Sequence, residues 1–181
     1  MDFELVVQRV LGGFEEAGVR YGLIGGYALG LWGATRATID LDFLLLVDDL
    51  QKAEAILGEF SYQCVFKSEN VAQYASDLAP FGQIDVLIAR REISKGMLKR
   101  SVGRESAAGA MRVLQPEDLI GLKLQALVND PSREAGELED MRALLRAAKS
   151  VGRGVDWELL EDYFGLFDRT ETLERLRSEH G

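Results

Sequence analysis

YGLIGGYALGLWGATRATIDLDF, residues 21–43, carries the pattern that decides the fold. A short apolar run over Tyr21–Ile24 ends in Gly25-Gly26, and a helix-compatible segment over 27–32 follows. Then come Arg36, Thr38 and two aspartates one residue apart, Asp40 and Asp42. Along a strand, side chains alternate faces, so positions i and i+2 point the same way. A strand over 38–47 therefore projects Asp40 and Asp42 from one face and packs Ile39, Leu41 and Phe43 on the other. Two carboxylates about 7 Å apart at Cα repel unless a cation sits between them. A divalent metal such as Mg²⁺ meets that need, because hard cations prefer carboxylate oxygens. The double glycine lets backbone approach a ligand closely, and a helix starting there favours phosphate. Metal and phosphate together point to nucleotide chemistry.

Composition removes the competing engines. The chain has 181 residues, 47% of them hydrophobic and 28% charged, which is ordinary for a globular protein with a sizeable core. Cys64 is the only cysteine, so no intrachain disulfide can form. With no basic n-region in MDFELVVQRV and no apolar run of bilayer length, the expectation is a cytoplasmic protein without a membrane partner. His180 is the single histidine and the penultimate residue, where chains are usually frayed. That disfavours Ser-His-Asp or Cys-His catalysis and His/Cys zinc sites. Catalysis is left to carboxylates, metal, Lys and Arg.

The net charge of -9 makes the chain a poor generic binder of duplex DNA. One stretch departs from this: Arg90, Arg91, Lys95, Lys99, Arg100 and Arg104 face only Glu92 and Glu105. It reads either as a solvated helix or as a basic patch for a phosphate-rich acceptor next to the metal site.

The run Gly-Gly, Gly, Arg-x-Thr-x-Asp-x-Asp resembles the nucleotidyltransferase fold of the DNA polymerase β superfamily. It is most similar to the small bacterial branch of AbiEii-like toxins and antibiotic nucleotidyltransferases. The resemblance covers residues 20–145. It implies a third carboxylate on a later strand, matched by Asp85 in QIDVLIA, residues 83–89. It implies a lysine on the helix that opens a second domain, matched by Lys123 in PEDLIGLKLQAL, residues 116–127. By the same resemblance Asp40 and Asp42 hold two Mg²⁺ or Mn²⁺ ions, and Asp85 binds the acceptor-side ion and helps deprotonate the hydroxyl. Gly25 and Gly26 would cradle the phosphates by backbone alone, since Tyr27-Ala28 follows where the family often has Ser or Thr. Arg36 either neutralises the triphosphate or pairs with Asp42. Lys123 is a point charge for the triphosphate or a snorkelling surface lysine. Gly136-Glu137 stands where the branch often has Lys-Asp, while Arg133 and Asp140 either pair or line the cleft.

The expected class is α/β (α+β): a small mixed sheet flanked by helices over 1–115, then a helical subdomain over 116–181. Helices are expected over 3–17, 50–60, 133–148, 157–167 and 170–177, with Asp48 and Asp49 capping the second of these. Strands are expected over 62–66, 71–74, 84–89 and 111–114. SVGRG, residues 150–154, reads as a flexible loop. The expected activity is metal-dependent transfer of a nucleoside monophosphate from a nucleoside triphosphate to a hydroxyl on RNA, protein or a small molecule, with release of pyrophosphate. The alternatives are a non-catalytic nucleotide-binding or toxin–antitoxin component, with an antitoxin partner, and a carboxylate-metal phosphohydrolase.

Overall fold

The structure, a computed structural model, describes residues 1–34 and 38–181. Arg36 lies outside the described residues. The chain divides into two compact units, Met1–Leu31 with Arg36–Leu114 and Trp32–Thr35 with Gln115–Gly181.

The first unit is built on a seven-stranded mixed sheet. Helix α1 (Phe3–Val6), a π-turn over Val7–Leu11 and α2 (Gly12–Glu16) form one continuous entry segment. Its apolar stripe buries Val6, Val10, Leu11 and Phe14, and Gly18 ends the run at φ +64°. Strand β1 (Tyr21–Ile24) follows, then helix α3 (Gly25–Leu31) and strand β2 (Leu41–Leu46). Helix α4 (Leu50–Glu59) leads to β3 (Tyr62–Lys67), β4 (Val71–Ser76) and β5 (Gln83–Ala89). Helix α5 (Glu92–Arg100) and the hairpin β6 (Val102–Ser106) and β7 (Gly109–Val113) complete the unit.

The order across the sheet is β3-β4-β5-β2-β1-β7-β6, which puts β2 in the middle. It runs antiparallel to β1 and parallel to β5. A central strand covered on both faces reads as an uninterrupted apolar run, and LDFLLL does so with one exception. Every residue of β2 is buried except Asp42. Phe14, Tyr21 and Phe43 meet with ring centroids 5.7, 5.9 and 6.0 Å apart and fasten the entry helix to the sheet.

Asp49 does not cap α4: no side-chain cap bond is made there. Its buried carboxylate instead accepts from the Arg20 backbone N–H (3.0 Å), Nε (2.6 Å) and Nη2 (3.1 Å), joining the start of β1 to the end of β2. These Arg20 hydrogen bonds hold the Asp49 carboxyl below the usual carboxylate range. A depressed folded-state value means that the native state binds fewer protons than the unfolded state. The stabilisation is present above an ordinary aspartate pKa of about 3.9 and is lost as pH falls through the lower native value. Acid titration followed by circular dichroism should therefore show a shallower loss of stability in Asp49→Asn than in wild type, from a lower starting stability at neutral pH.

The second unit is helical. Its elements are α6 (Pro116–Asn129), α7 (Glu134–Ser150), α8 (Trp157–Leu166) and α9 (Thr170–His180). Pro116 occupies the first turn of α6, where its missing N–H costs nothing. Asp130 caps the 3-10 turn Pro131–Arg133 by accepting the Ser132 N–H at 3.1 Å. Residue Arg153, in the expected flexible loop, is anchored: its two Nη atoms each lie 2.8 Å from the carboxylate of buried Glu117, and its guanidinium lies over Trp32 at 5.5 Å. His180 is not frayed. It is the last residue of α9, only 11% of its side chain is exposed, and burial lowers its pKa towards the neutral form. Among the described residues no helix is long and apolar enough to cross a membrane.

Candidate active site

The site is assembled by strand register. In the parallel β2–β5 ladder Asp42 stands directly opposite Asp85. Adjacent strands lie about 4.8 Å apart, and side chains at paired positions share a face. Two carboxylates of like charge are thereby held side by side on the middle of the sheet, both half-buried. On the other side of β2, Asp42 is paired with Ile24, the residue before Gly25.

Asp85 is held from two directions. The side-chain amides of Gln73 and Gln83 donate to its Oδ1 at 3.1 and 2.9 Å. Gln73 is its cross-strand partner on β4, and Gln83 precedes it by one pleat on β5. Neither glutamine was singled out from the sequence. Gln83 was legible there by the same two-residue period that pairs Asp40 with Asp42.

Gly25 explains its own identity. Its backbone adopts φ +65°, and a Cβ added there would stand 1.9 Å from Asp42 Oδ2. The Asp42 carboxylate occupies the space that any other residue's side chain would fill. A Cβ at Gly26 would meet Thr38 Cβ at 2.9 Å. Both glycines are thus required by close approach within the protein, and both belong to the first turn of α3 rather than to a loop ahead of it.

Asp40 differs from the expectation. Strand β2 begins at Leu41, so Asp40 lies in a bend just before the ladder, half-buried. The Thr38 hydroxyl closes this entrance by donating to the Asp40 carbonyl at 3.1 Å. Ile39 is 76% exposed and does not pack beneath the sheet. The strand stops short because its neighbours do: pairing with β1 ends at Asp42–Ile24 and pairing with β5 at Leu41–Ile84. Among the described residues, no group of three or more His, Cys, Asp or Glu side chains is arranged to hold a metal ion. The structure therefore brings Asp42 and Asp85 together and leaves Asp40 beside them at the strand entrance.

Lys123 is neither free nor snorkelling. Within the helical unit its ammonium lies 2.9 Å from Glu137 Oε2 and 2.6 Å from Asp140 Oδ2, with 13% of its side chain exposed. Arg133 makes a further ion pair with Glu137. Glu137 and Asp140 lie on one face of α7 by their i, i+3 spacing, and they turn Lys123 into an internal counter-ion. Removing one member of a buried ion cluster strands the others without compensation, which costs about 3–5 kcal/mol. Urea denaturation should show Lys123→Ala destabilised by about 3 kcal/mol, with Lys123→Arg well above it.

The basic segment begins away from the carboxylates. Asp85 is near the start of β5, whereas Arg90 and Arg91 follow its end at Ala89. At about 3.3 Å per strand residue, Arg90 is displaced by about 16 Å along the strand from Asp85. Its members also have local duties: Arg90 Nε donates to the Glu69 carbonyl at 2.7 Å, Lys95 pairs with Glu92 at 2.9 Å, and Arg104 Nη2 donates to the Leu31 carbonyl at 3.0 Å.

No protein-family model matches the sequence, and no curated protein matches it. Solved structures do. The antibiotic-resistance factor ANT(2'')-Ia in solution is similar over 99% of this chain and 100% of that one, with a TM-score of 0.66 and 18% identity. A crystal structure of ANT(2'')-Ia in complex with adenylyl-2''-tobramycin gives 0.64 and 14% over 98% of each chain. Lincomycin-bound LnuA, a lincosamide antibiotic adenylyltransferase, gives 0.56 and 14% over 80% of this chain and 96% of that one. At these identities the likeness establishes the fold. The chain has the mixed α/β architecture of nucleotidyltransferases.

Proposed function

We propose that the protein is a metal-dependent nucleotidyltransferase that moves a nucleoside monophosphate from a nucleoside triphosphate to a hydroxyl acceptor and releases pyrophosphate. The observation that carries this reading is the register that sets Asp42 against Asp85 beside Gly25. A divalent cation fits this donor set. Hard carboxylate oxygens are its preferred ligands, and a cation relieves the repulsion that the ladder imposes. Asp42 and Asp85 would hold Mg²⁺ or Mn²⁺, with Asp40 as the further ligand at the strand entrance. When bound, such ions stabilise charge on the attacking and leaving oxygens of an in-line displacement.

The chain's own groups supply the remainder. The acceptor hydroxyl oxygen forms a bond to the α-phosphorus while the bond to the bridging oxygen breaks and pyrophosphate departs. The hydroxyl proton passes to Asp85, whose carboxylate is held in one orientation by Gln73 and Gln83. Gly25 and Gly26, in the first turn of α3, are the proposed backbone contacts for the triphosphate. Arg36 remains the proposed counter-charge for the triphosphate. Lys123 would reach a nucleotide only by exchanging Glu137 and Asp140 for it.

For the acceptor we infer a small hydroxyl-bearing molecule. ANT(2'')-Ia, which this chain matches from end to end, was captured with adenylyl-2''-tobramycin, and LnuA with lincomycin. A net charge of -9 disfavours a polyanionic acceptor, and the basic segment begins only past the far end of the strand that carries Asp85. The test is incubation with each α-labelled triphosphate, Mg²⁺ and either a panel of hydroxylated small molecules, total RNA or protein. The expected result is label on a small molecule with stoichiometric pyrophosphate. Label on RNA or protein would select the toxin-like reading. Release of inorganic phosphate would select a phosphohydrolase, and triphosphate binding without pyrophosphate a non-catalytic component.

A further inference from the structure

A cavity of about 490 Å³ opens at the opposite end of the central strands from the carboxylate pair. Asp42 is paired with Ile24, whereas the cavity is lined by Tyr21 and Leu46 at the far ends of β1 and β2. The two places are separated by about 10–13 Å of strand. The volume lies in the range of about 300–1,000 Å³ typical of small-molecule sites.

Four cations from separate parts of the chain reach this cavity: Arg20 ahead of β1, Lys95 and Lys99 on α5, and Arg112 on β7. Two carboxylates, Glu15 and Asp48, also line it. The charges divide by position. Arg20 is matched by Asp49, Lys95 by Glu92, and Asp48 acts on both cations. Arg112 is held differently. Its Nε donates to the Ser101 hydroxyl at 3.2 Å and its Nη2 to the Ser101 carbonyl at 2.7 Å. Ser101 is buried, so the guanidinium is fixed in place by neutral oxygens that orient it without cancelling its charge. The Arg112 N–H also donates to the Tyr21 hydroxyl at 3.4 Å, and Glu15 lies against that hydroxyl. Leu46, Leu98 and Val19 add an apolar wall.

We propose that this cavity binds a small phosphorylated molecule, with Arg112 and Lys99 gripping the phosphate and the apolar wall receiving the body. A planar guanidinium pre-set by neutral partners is the group best shaped for a phosphate, and Lys99 adds a movable point charge. The cavity volume suits a small ligand. The proposal is independent of the transfer reaction, because no group of the Asp42–Asp85 site takes part.

Isothermal titration of the full chain, without metal or triphosphate, tests it. The probes are inorganic phosphate, pyrophosphate and glucose 6-phosphate. Saturable binding is expected in wild type and unchanged in Asp42→Asn. It should weaken about tenfold or more in Lys99→Gln and in Arg112→Gln, the worth of one charge-assisted hydrogen bond. Lys99→Gln is on an exposed residue and keeps the test decisive if Arg112→Gln fails to fold. Tighter binding of glucose 6-phosphate than of phosphate supports an organic ligand, and equal binding supports free phosphate. The proposal is overturned by no saturable binding at millimolar probe, by equal binding in wild type and Lys99→Gln, or by loss of binding in Asp42→Asn. It is also overturned if a ribo-oligonucleotide, but none of the small probes, binds through Lys99.

Discussion

Asp42→Asn is expected to abolish nucleotidyl transfer while leaving the fold intact. Asparagine keeps the size of the side chain and removes the charge that a divalent cation requires. Metal-centred stabilisation of a transferring phosphoryl group is worth several kcal/mol, so a loss of about 3 kcal/mol corresponds to about a hundredfold in rate. Asp85→Asn should fall at least as far, since it loses both an anionic ligand and the group proposed to take the acceptor's proton. The two differ in their supports. Asparagine at position 85 keeps a carbonyl oxygen to accept from the Gln73 and Gln83 amides that now meet at Oδ1. Its orientation therefore survives, and its failure isolates the missing charge. Thermal melts near wild type, together with pyrophosphate release below one per cent of wild type or about that level, are the expected pair of results. Full activity in Asp42→Asn would remove the carboxylates from the mechanism.

Much of this arrangement was legible in the sequence because apolar runs and glycines mark elements without reference to partners. The run Tyr21–Ile24 is a strand as read, and Pro116 opens a helix as read. What failed was what depends on neighbours. Periodicity extended the aspartate strand back to Thr38, but a strand persists only where another strand pairs with it, and the ladders end at Leu41 and Asp42. Strand β6 escaped because VGRES is an edge strand with no buried residue to create alternation. The capping role read for Asp49 failed, and the ion pairs of Lys123 went unforeseen, for one reason. A charged residue's partner is chosen by tertiary contact, and Arg20 in one case, Glu137 and Asp140 in the other, are remote in sequence. The pairing of Asp42 with Asp85 rests on register, which the sequence did not specify. The substrate roles of these residues, and of Gly25 and Gly26, remain the proposal made above.

Gly25→Ala is expected to damage both stability and activity, and for a reason other than phosphate contact alone. The added Cβ would fall 1.9 Å from Asp42 Oδ2, 2.5 Å from its Cγ and 2.9 Å from its Cβ. No rotation of alanine removes that overlap, so the Asp42 carboxylate must leave its place opposite Asp85. The left-handed backbone at φ +65° adds about 1–2 kcal/mol for a residue bearing a Cβ. Gly12→Ala provides the control: Gly12 has helical geometry, φ -55°, and nothing within 4 Å of its added Cβ. There the substitution should be neutral or stabilising by up to about 1 kcal/mol. Gly26→Val is a less direct probe of phosphate binding, because its Cβ first meets Thr38 at 2.9 Å and disturbs the strand entrance that carries Asp40. Chemical denaturation and metal titration on the three variants separate the effects. In Gly25→Ala the metal affinity should fall by more than the lost stability explains, since the carboxylate itself is displaced. Metal affinity equal to that of Gly12→Ala would mean that Asp42 does not ligate the ion from the position seen here.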